Sequence, residues 1–358
     1  MLGRKDPAIG PVGPGAIGPP RRPPSPWLVA AAGAACLLVI AGIVAYWVSS
    51  ARARLPLATR VELPLPPQVQ QQQPAVEPEA SGEAALIERG PSGPLPRIAK
   101  DGRMPWQVYA RPFDRASRKP RIAIVIAGLG QSAAQTEAAV AKLPGTVTLA
   151  FSPYAADLPS WFEKANAAGH ELMVQVPMEP TDFPREDPGP ASLLTTLTPA
   201  QNLERLEWVM SRATGYVGLT NFMGARFTAA SDALPPILEV LKGRGLLFLE
   251  TRTSNQSVVA ASADPLGLPR AADDRNFDGD LTRAGIDRTL AELEQIARQN
   301  DRAIGVGSAY PVTIERIAAW ATTIEGKGIV LAPVSATVVA KEAAAPQAAA
   351  AKPEGAKE

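Results

Sequence analysis

Between residues 121 and 338 short apolar, β-branched runs alternate with stretches of helical period, and this alternation constrains the chain more than any other feature. The runs fall at 122–126, 146–151, 172–176, 216–220, 246–250, 303–306 and 329–334. Between most of them lie helix-period stretches such as 199–212 (PAQNLERLEWVMSR), 234–242 and 286–299 (IDRTLAELEQIARQ). A strand, helix, strand order implies parallel pairing through right-handed crossovers. About seven such units exceed what a typical open doubly wound sheet needs, so a closed or nearly closed barrel competes with it. In either architecture ligands bind at the carboxyl ends of the strands.

The rest of the chain reads differently. Residues 1–25 are rich in Pro and Gly and cannot bury a core, which predicts a disordered tail. A membrane helix is expected over 26–50, because residues 27–48 (WLVAAAGAACLLVIAGIVAYWV) are 22 in a row without a charge. At ~1.5 Å per residue the run spans roughly 33 Å, about one hydrocarbon core. Trp27, Tyr46 and Trp47 flank it as interfacial aromatics. A signal peptide's apolar region is about 7 to 15 residues, so the run is read as an uncleaved anchor. Residues 51–119, with LPLPPQVQQQQPAVEPEASGE, are expected to be an extended Pro/Gln-rich spacer, 120–338 the folded domain, and 339–358 a disordered Ala/Lys/Pro tail.

Charge selects no partner. The 36 basic and 35 acidic residues leave a net charge of +1, and basic stripes and stacking platforms for nucleic acid are absent. With a single histidine, His170, any mechanism that needs two histidines from one chain is excluded. His170 precedes the third run and so belongs to the end of the barrel away from the pocket, where a surface or structural role is expected. The lone Cys36 lies in the apolar run and forms no internal disulfide. Gly128-Leu129-Gly130, with Ala133 at the third glycine position, resembles a nucleotide fingerprint, but Ala150 and Phe151 stand where its acid belongs, so no nucleotide is expected. Residues 274–280 (DRNFDGD) match the first positions of a calcium loop. The twelfth position is Gly285, which cannot supply the bidentate carboxylate, so a solvated acidic turn is expected.

The strand ends are polar or glycine-bearing, yet they hold no histidine and few carboxylates. Their order is specific: IAIVIAGLG, GTVTLAFSPYA, AGHELMVQVPMEP followed by DPGPASLLTTLT, GYVGLTNFMGARFT, GLLFLETRTSNQSV, and AIGVGSAYPVTIERIAAW before GIVLAPVS. Together these segments resemble the divergent polysaccharide deacetylase family, bacterial proteins with a distorted (β/α) barrel. The resemblance implies a divalent metal such as zinc, held by an aspartate and histidines, while a second aspartate acts as base on the metal-bound water. At the matching positions this chain has Ala127 and Gly128 for the two aspartates, Phe222 for one histidine and Ser308 for another. Gln175 stands near a further histidine position, and Glu250-Thr251-Arg252-Thr253 replaces an Asp-Ser-Arg-Thr segment.

These substitutions predict a barrel that has lost its metal site, with no catalytic residue, metal or cofactor assigned. Gln175, Glu179, Asn221, Arg226, Glu250 and Arg252, at or just beyond strand ends, are the candidates to contact a polar ligand; Glu250 and Arg252 equally suit a structural ion pair. The function expected is a single-pass protein of a cell inner membrane, its domain on the external, periplasmic side, linked to cell-envelope carbohydrate metabolism through binding a glycan or a protein. Two alternatives remain open: an active metal-dependent carbohydrate deacetylase or hydrolase with a site rearranged around Glu250, Glu179 or the acidic turn, and a structural cell-envelope interaction protein.

Overall fold

The computed structural model describes residues 82–338. The expected tails 1–25 and 339–358, the uncharged run 27–48 and spacer residues 51–81 lie outside the described residues. Among the described residues no helix is long and apolar enough to cross a membrane.

All seven expected strands form, and they belong to one parallel sheet: β3 (Arg121–Leu129), β4 (Thr148–Phe151), β5 (Leu172–Met178), β6 (Gly218–Met223), β7 (Leu247–Glu250), β10 (Arg302–Ser308) and β11 (Val330–Ala332). Two short strands were not expected, β8 (Arg270–Ala272) and β9 (Arg275–Asn276), and the sheet order is β8-β7-β6-β5-β4-β3-β10-β9, with β11 also on β3. β8 and β9 are consecutive pieces of one segment bonded to opposite edges of the sheet. The N–H of Phe248 donates to Pro269 O (2.9 Å) and that of Asp273 to Glu250 O (3.0 Å), whereas the N–H of Asp274 donates to Ile304 O (2.7 Å). The sheet therefore curls until residues 270–276 join its two edges, as the distorted barrel requires.

Period-2 alternation sorts the side chains into two layers. Ile122, Ile124 and Ile126 face the outer core, which includes Phe248 and the helix residues Leu206, Leu238, Leu293 and Ile317. Ala123, Val125 and Ala127 face inward with Ala150, Met173, Leu249, Ala271, Ile304 and Val306. Small residues predominate inside because the curled sheet leaves little room there. The helix Pro199–Met210 begins in a capping box, Thr198 with Gln201, and has Pro at its first turn, a start legible in the sequence.

The described part of the expected spacer is folded. Gly82–Leu86 forms a 3₁₀ turn, β1 (Ile87–Gly90) pairs antiparallel with β2 (Gly93–Pro96), and the helical turn Pro105–Val108 brings Trp106 into the inner cluster beside Val334 and Val338. The N–H of Trp106 donates to Gly245 O (3.1 Å), just before β7, so this segment covers the amino-terminal end of the barrel. Its Pro and Gly content masked Leu86, Leu95 and Trp106, which are buried.

At the same end Glu171 is 1% exposed. Its carboxylate accepts the N–H of Ser335 (3.0 Å), the Thr148 hydroxyl (3.2 Å), the N–H of Arg111 (3.2 Å) and the Ser335 hydroxyl. One side chain thus ties β4 and β5 to the preceding loop and to the last described residues. Burial raises its pKa above the ordinary 4.5, opposed by the donors on Ser335, Arg111 and Thr148. A carboxyl raised on folding contributes most below its unfolded value and loses that contribution as pH climbs through the folded value. Urea midpoints measured upward from pH 4.5 should therefore fall for the native protein by an increment that Glu171→Gln lacks; parallel curves would contradict the assignment. Glu171→Ala leaves buried donors unpaired and should cost about 3 kcal/mol in the same measurement.

Candidate functional site

The carboxyl ends of β3, β5, β6 and β10 carry the positions singled out from the sequence. The β3–β4 register shifts between Ile126 and Leu129, and Gly128 lies in that irregularity at φ +75°. A Cβ at Gly128 would meet nothing within 4 Å, so its surface is open. Gly130 (φ +88°) is a glycine for a different reason: a Cβ there would stand 2.5 Å from that of Ala155. The N–H of Gly128 donates to Oε1 of Gln175 (2.9 Å), so Gln175 holds the β3 turn in place.

Ser308 is in register with Ala127, which places the two side chains next to each other on the inner face. The turn 274–280 reaches this point. Oδ1 and Oδ2 of Asp278 accept the N–H of Ser308 (2.9 and 3.1 Å), and Oδ2 accepts its hydroxyl (2.7 Å). The other acidic and amide groups of the turn also bind neighbouring backbone: Oδ2 of Asp274 accepts the N–H of Ile304 (2.9 Å), and Asn276 accepts that of Asp278 (2.7 Å). Asp280 accepts the hydroxyl and N–H of Thr282 (2.7 and 3.1 Å), which hold its carboxyl below the ordinary range. No side chain fits at Gly285, because a Cβ there would lie 2.2 Å from Cγ of Asp280. The turn is a set of backbone caps, and Asp278 is bonded to Ser308 rather than simply solvated.

On β6 Asn221 is 1% exposed and internally bonded. Its Oδ1 accepts the N–H of Thr251 (2.7 Å), and its Nδ2 donates to Met223 O (2.7 Å), Thr251 O (3.0 Å) and Oγ1 of Thr251 (2.8 Å). This clamp holds Met223 at φ +57°, a conformation uncommon for any residue but glycine, and so fixes the backbone beside Phe222. Phe222 is half-buried and in register with Pro177 on β5, on the face shared by Gln175 and Thr220. The hydroxyl of Thr220 is buried without a partner.

The remaining candidates are structural or stand away from the inner face. Oε2 of Glu179 accepts the N–H and hydroxyl of Thr195 (2.5 and 2.7 Å), and Oε1 pairs with Arg226 at 3.0 Å. Arg226 is half exposed at the rim. Glu250 shares a strand face with Phe248, which packs in the outer core, and therefore points away from the barrel interior. No Glu250–Arg252 ion pair forms among the described residues. Instead the N–H of Arg252 donates to Asp273 (2.7 Å), a buried acid that no sequence pattern announced. Burial raises the Asp273 pKa, helped by the nearby Asp274 and Glu250 charges and opposed by Arg252. His170, 3% exposed at the start of β5, has Nδ1 2.9 Å from Val147 O and Nε2 3.2 Å from Val140 O, the structural role expected of it.

The donor set does not fit the metal that the resemblance implies. Ala127, Gly128 and Phe222 have no ligand atom, the Ser308 hydroxyl is bonded to Asp278, and Oε1 of Gln175 is taken by Gly128. Among the described residues no three His, Cys, Asp or Glu side chains are grouped to hold an ion.

Known proteins match this chain in two ways. A crystal structure of an uncharacterized protein from Agrobacterium tumefaciens is 40% identical, covers 69% of this chain and all of its own, and superposes with a TM-score of 0.67. An uncharacterized protein of Haemophilus influenzae is 26% identical over 195 residues, 54% of this chain and 68% of its own length. The uncharacterized protein YibQ of Escherichia coli is 24% identical over 199 residues, and the match spans 54% of this chain and 60% of that protein. Residues 124–338, from the third residue of the β3 apolar run to the last described residue, match the pattern of the divergent polysaccharide deacetylases. That match covers more than half of the chain, its segments stand in the expected order on the observed strands, and the chain belongs to the divergent polysaccharide deacetylase family.

Proposed function

We propose that this is a single-pass protein of a cell inner membrane whose domain, on the external (periplasmic) side, keeps the family barrel without its metal chemistry and binds an N-acetylated envelope glycan. The observation that carries the reading is the inner mouth without a metal-ligand set: Ala127 beside Ser308, the open surface of Gly128, and half-buried Phe222, with the Asp278 carboxylate taken up by Ser308 and that of Glu179 by Thr195 and Arg226. Tyr310, two residues beyond Ser308, is 40% exposed at the rim. Aromatic rings with a polar edge suit the apolar faces and hydroxyls of a sugar. The 22-residue uncharged run supports the anchor, and the four basic residues ahead of it (Arg4, Lys5, Arg21, Arg22) against three just after it (Arg52, Arg54, Arg60) support the orientation.

Two measurements on the full chain in detergent test this. Metal analysis should find far less than one ion per chain, acetate release from an N-acetylglucosamine tetramer should not exceed the blank, and the tetramer should bind saturably. Phe222→Ala should weaken that binding about tenfold, the worth of roughly one aromatic contact. Stoichiometric zinc with turnover that Asp278→Asn abolishes would overturn the reading, as would a chain that binds no glycan. The second measurement restores the site. Ala127→Asp, Gly128→Asp, Phe222→His and Ser308→His together should confer zinc binding absent from the parent, although the Gly128 change places a side chain at positive φ for about 1 kcal/mol. No gain in zinc binding would show that these positions do not correspond to the family's ligands.

A further inference from the structure

The junction that closes the sheet is incomplete. β9 bonds to β10 only at Gly305 and Val306, and below the Asp274–Ile304 contact β8 and β10 diverge. A cavity of about 540 Å³ opens there, bordered by Arg252, Arg270, Arg302, Asn300, Asp264 and Asp274. The ladders decide which backbone groups face it. Pro269 and Asp273 bond to β7, so Arg270 and Ala272, being of the other parity, direct both their N–H and their C=O groups away from β7. The N–H of Arg121 donates to Asp301 O, so Arg302 likewise turns its N–H and C=O away from β3 and into the gap.

The charges bordering the gap are unequally matched. Arg270 is neutralised by Asp264 in a two-point contact, Nε to Oδ1 at 2.6 Å and Nη2 to Oδ2 at 2.9 Å. Asp274 accepts the N–H of Ile304, and Asp273 accepts that of Arg252. Arg252 and Arg302 are exposed, and among the described residues neither guanidinium forms an ion pair. Two guanidiniums that no carboxylate contacts thus border one polar cavity, while the backbone N–H and C=O groups that face it come in equal number and offset one another.

We propose that this gap is a binding site for an anionic group, a carboxylate or phosphate, held by the guanidiniums of Arg252 and Arg302. It is separate from the barrel mouth and does not rest on the glycan reading. The full chain in detergent is titrated calorimetrically with glucuronate, with inorganic phosphate and with glucose as the neutral control. At least one anion should bind saturably and glucose should not; preference for glucuronate identifies an acidic sugar as the source, and preference for phosphate a phosphorylated one. Arg302→Gln and Arg252→Gln should each weaken binding about tenfold, as loss of a charge-assisted contact does, while Phe222→Ala leaves it unchanged. Both arginines are exposed, and unchanged thermal melting confirms that the variants fold. Absence of saturable binding by both anions, equal binding of glucose, or full affinity in both arginine variants would overturn the proposal.

Discussion

β3 is hydrogen-bonded along both edges, and the rest of the barrel is referred to it. β10 holds one edge from Arg121 to Ala127; β11 takes the other edge at 121–123 and β4 takes it from Val125 onward. A strand held this way cannot slip, because a shift of one residue would turn Ile122, Ile124 and Ile126 inward and Ala123, Val125 and Ala127 outward. The inner layer has no room for three isoleucines, and the outer layer would be left with cavities. The packing of the core therefore determines that Ala127 stands beside Ser308. The geometry of the mouth follows from the same register that stabilises the fold, whatever side chains occupy it.

The strands flanking β3 were legible because each is apolar on both faces, so the run alone identifies it. Their ends were less so: the run at 216–220 becomes a strand only from Gly218, since the Tyr216 hydroxyl is bonded to Met210 O and its ring packs on Phe162. β8 and β9 could not be read from RAADDRN at all. Those residues are extended because two sheet edges need partners there, a tertiary demand that overrides local preference. The folded residues 82–119 were hidden for a related reason: a hairpin of four-residue strands and one helical turn carry too few apolar positions to show a period, although Leu95 and Trp106 are buried.

The site divides along the same line. Which positions lie at the strand ends was readable, and so was the absence of charge at four of them. How Gln175, Glu179 and Asn221 act was not, because each binds a partner that only the fold supplies: Gly128 at 47 residues, Thr195 and Arg226 across a loop, Thr251 just past the end of the next strand. The pairing of Asp278 with Ser308 spans 30 residues and Glu171 with Ser335 spans 164, distances at which a lone acid ahead of a strand reads as surface.

The side chains at the mouth also bear on stability. A cluster of acids and imidazoles in a partly buried mouth repels or desolvates itself unless an ion compensates it, so a metal site of that kind is stable chiefly when loaded. Ala127, Gly128, Phe222 and Ser308 impose no such requirement. The one carboxylate that approaches them, Asp278, is matched by two donors on Ser308, and Gln175 meets the free N–H at the irregularity in β3. With Asp278 and the Gly128 N–H answered from within, these four positions bring no unmatched charge to the mouth. Introducing charged ligands there should consequently lower stability when zinc is absent and recover it when zinc is added, if these positions are the family's ligand positions, as proposed.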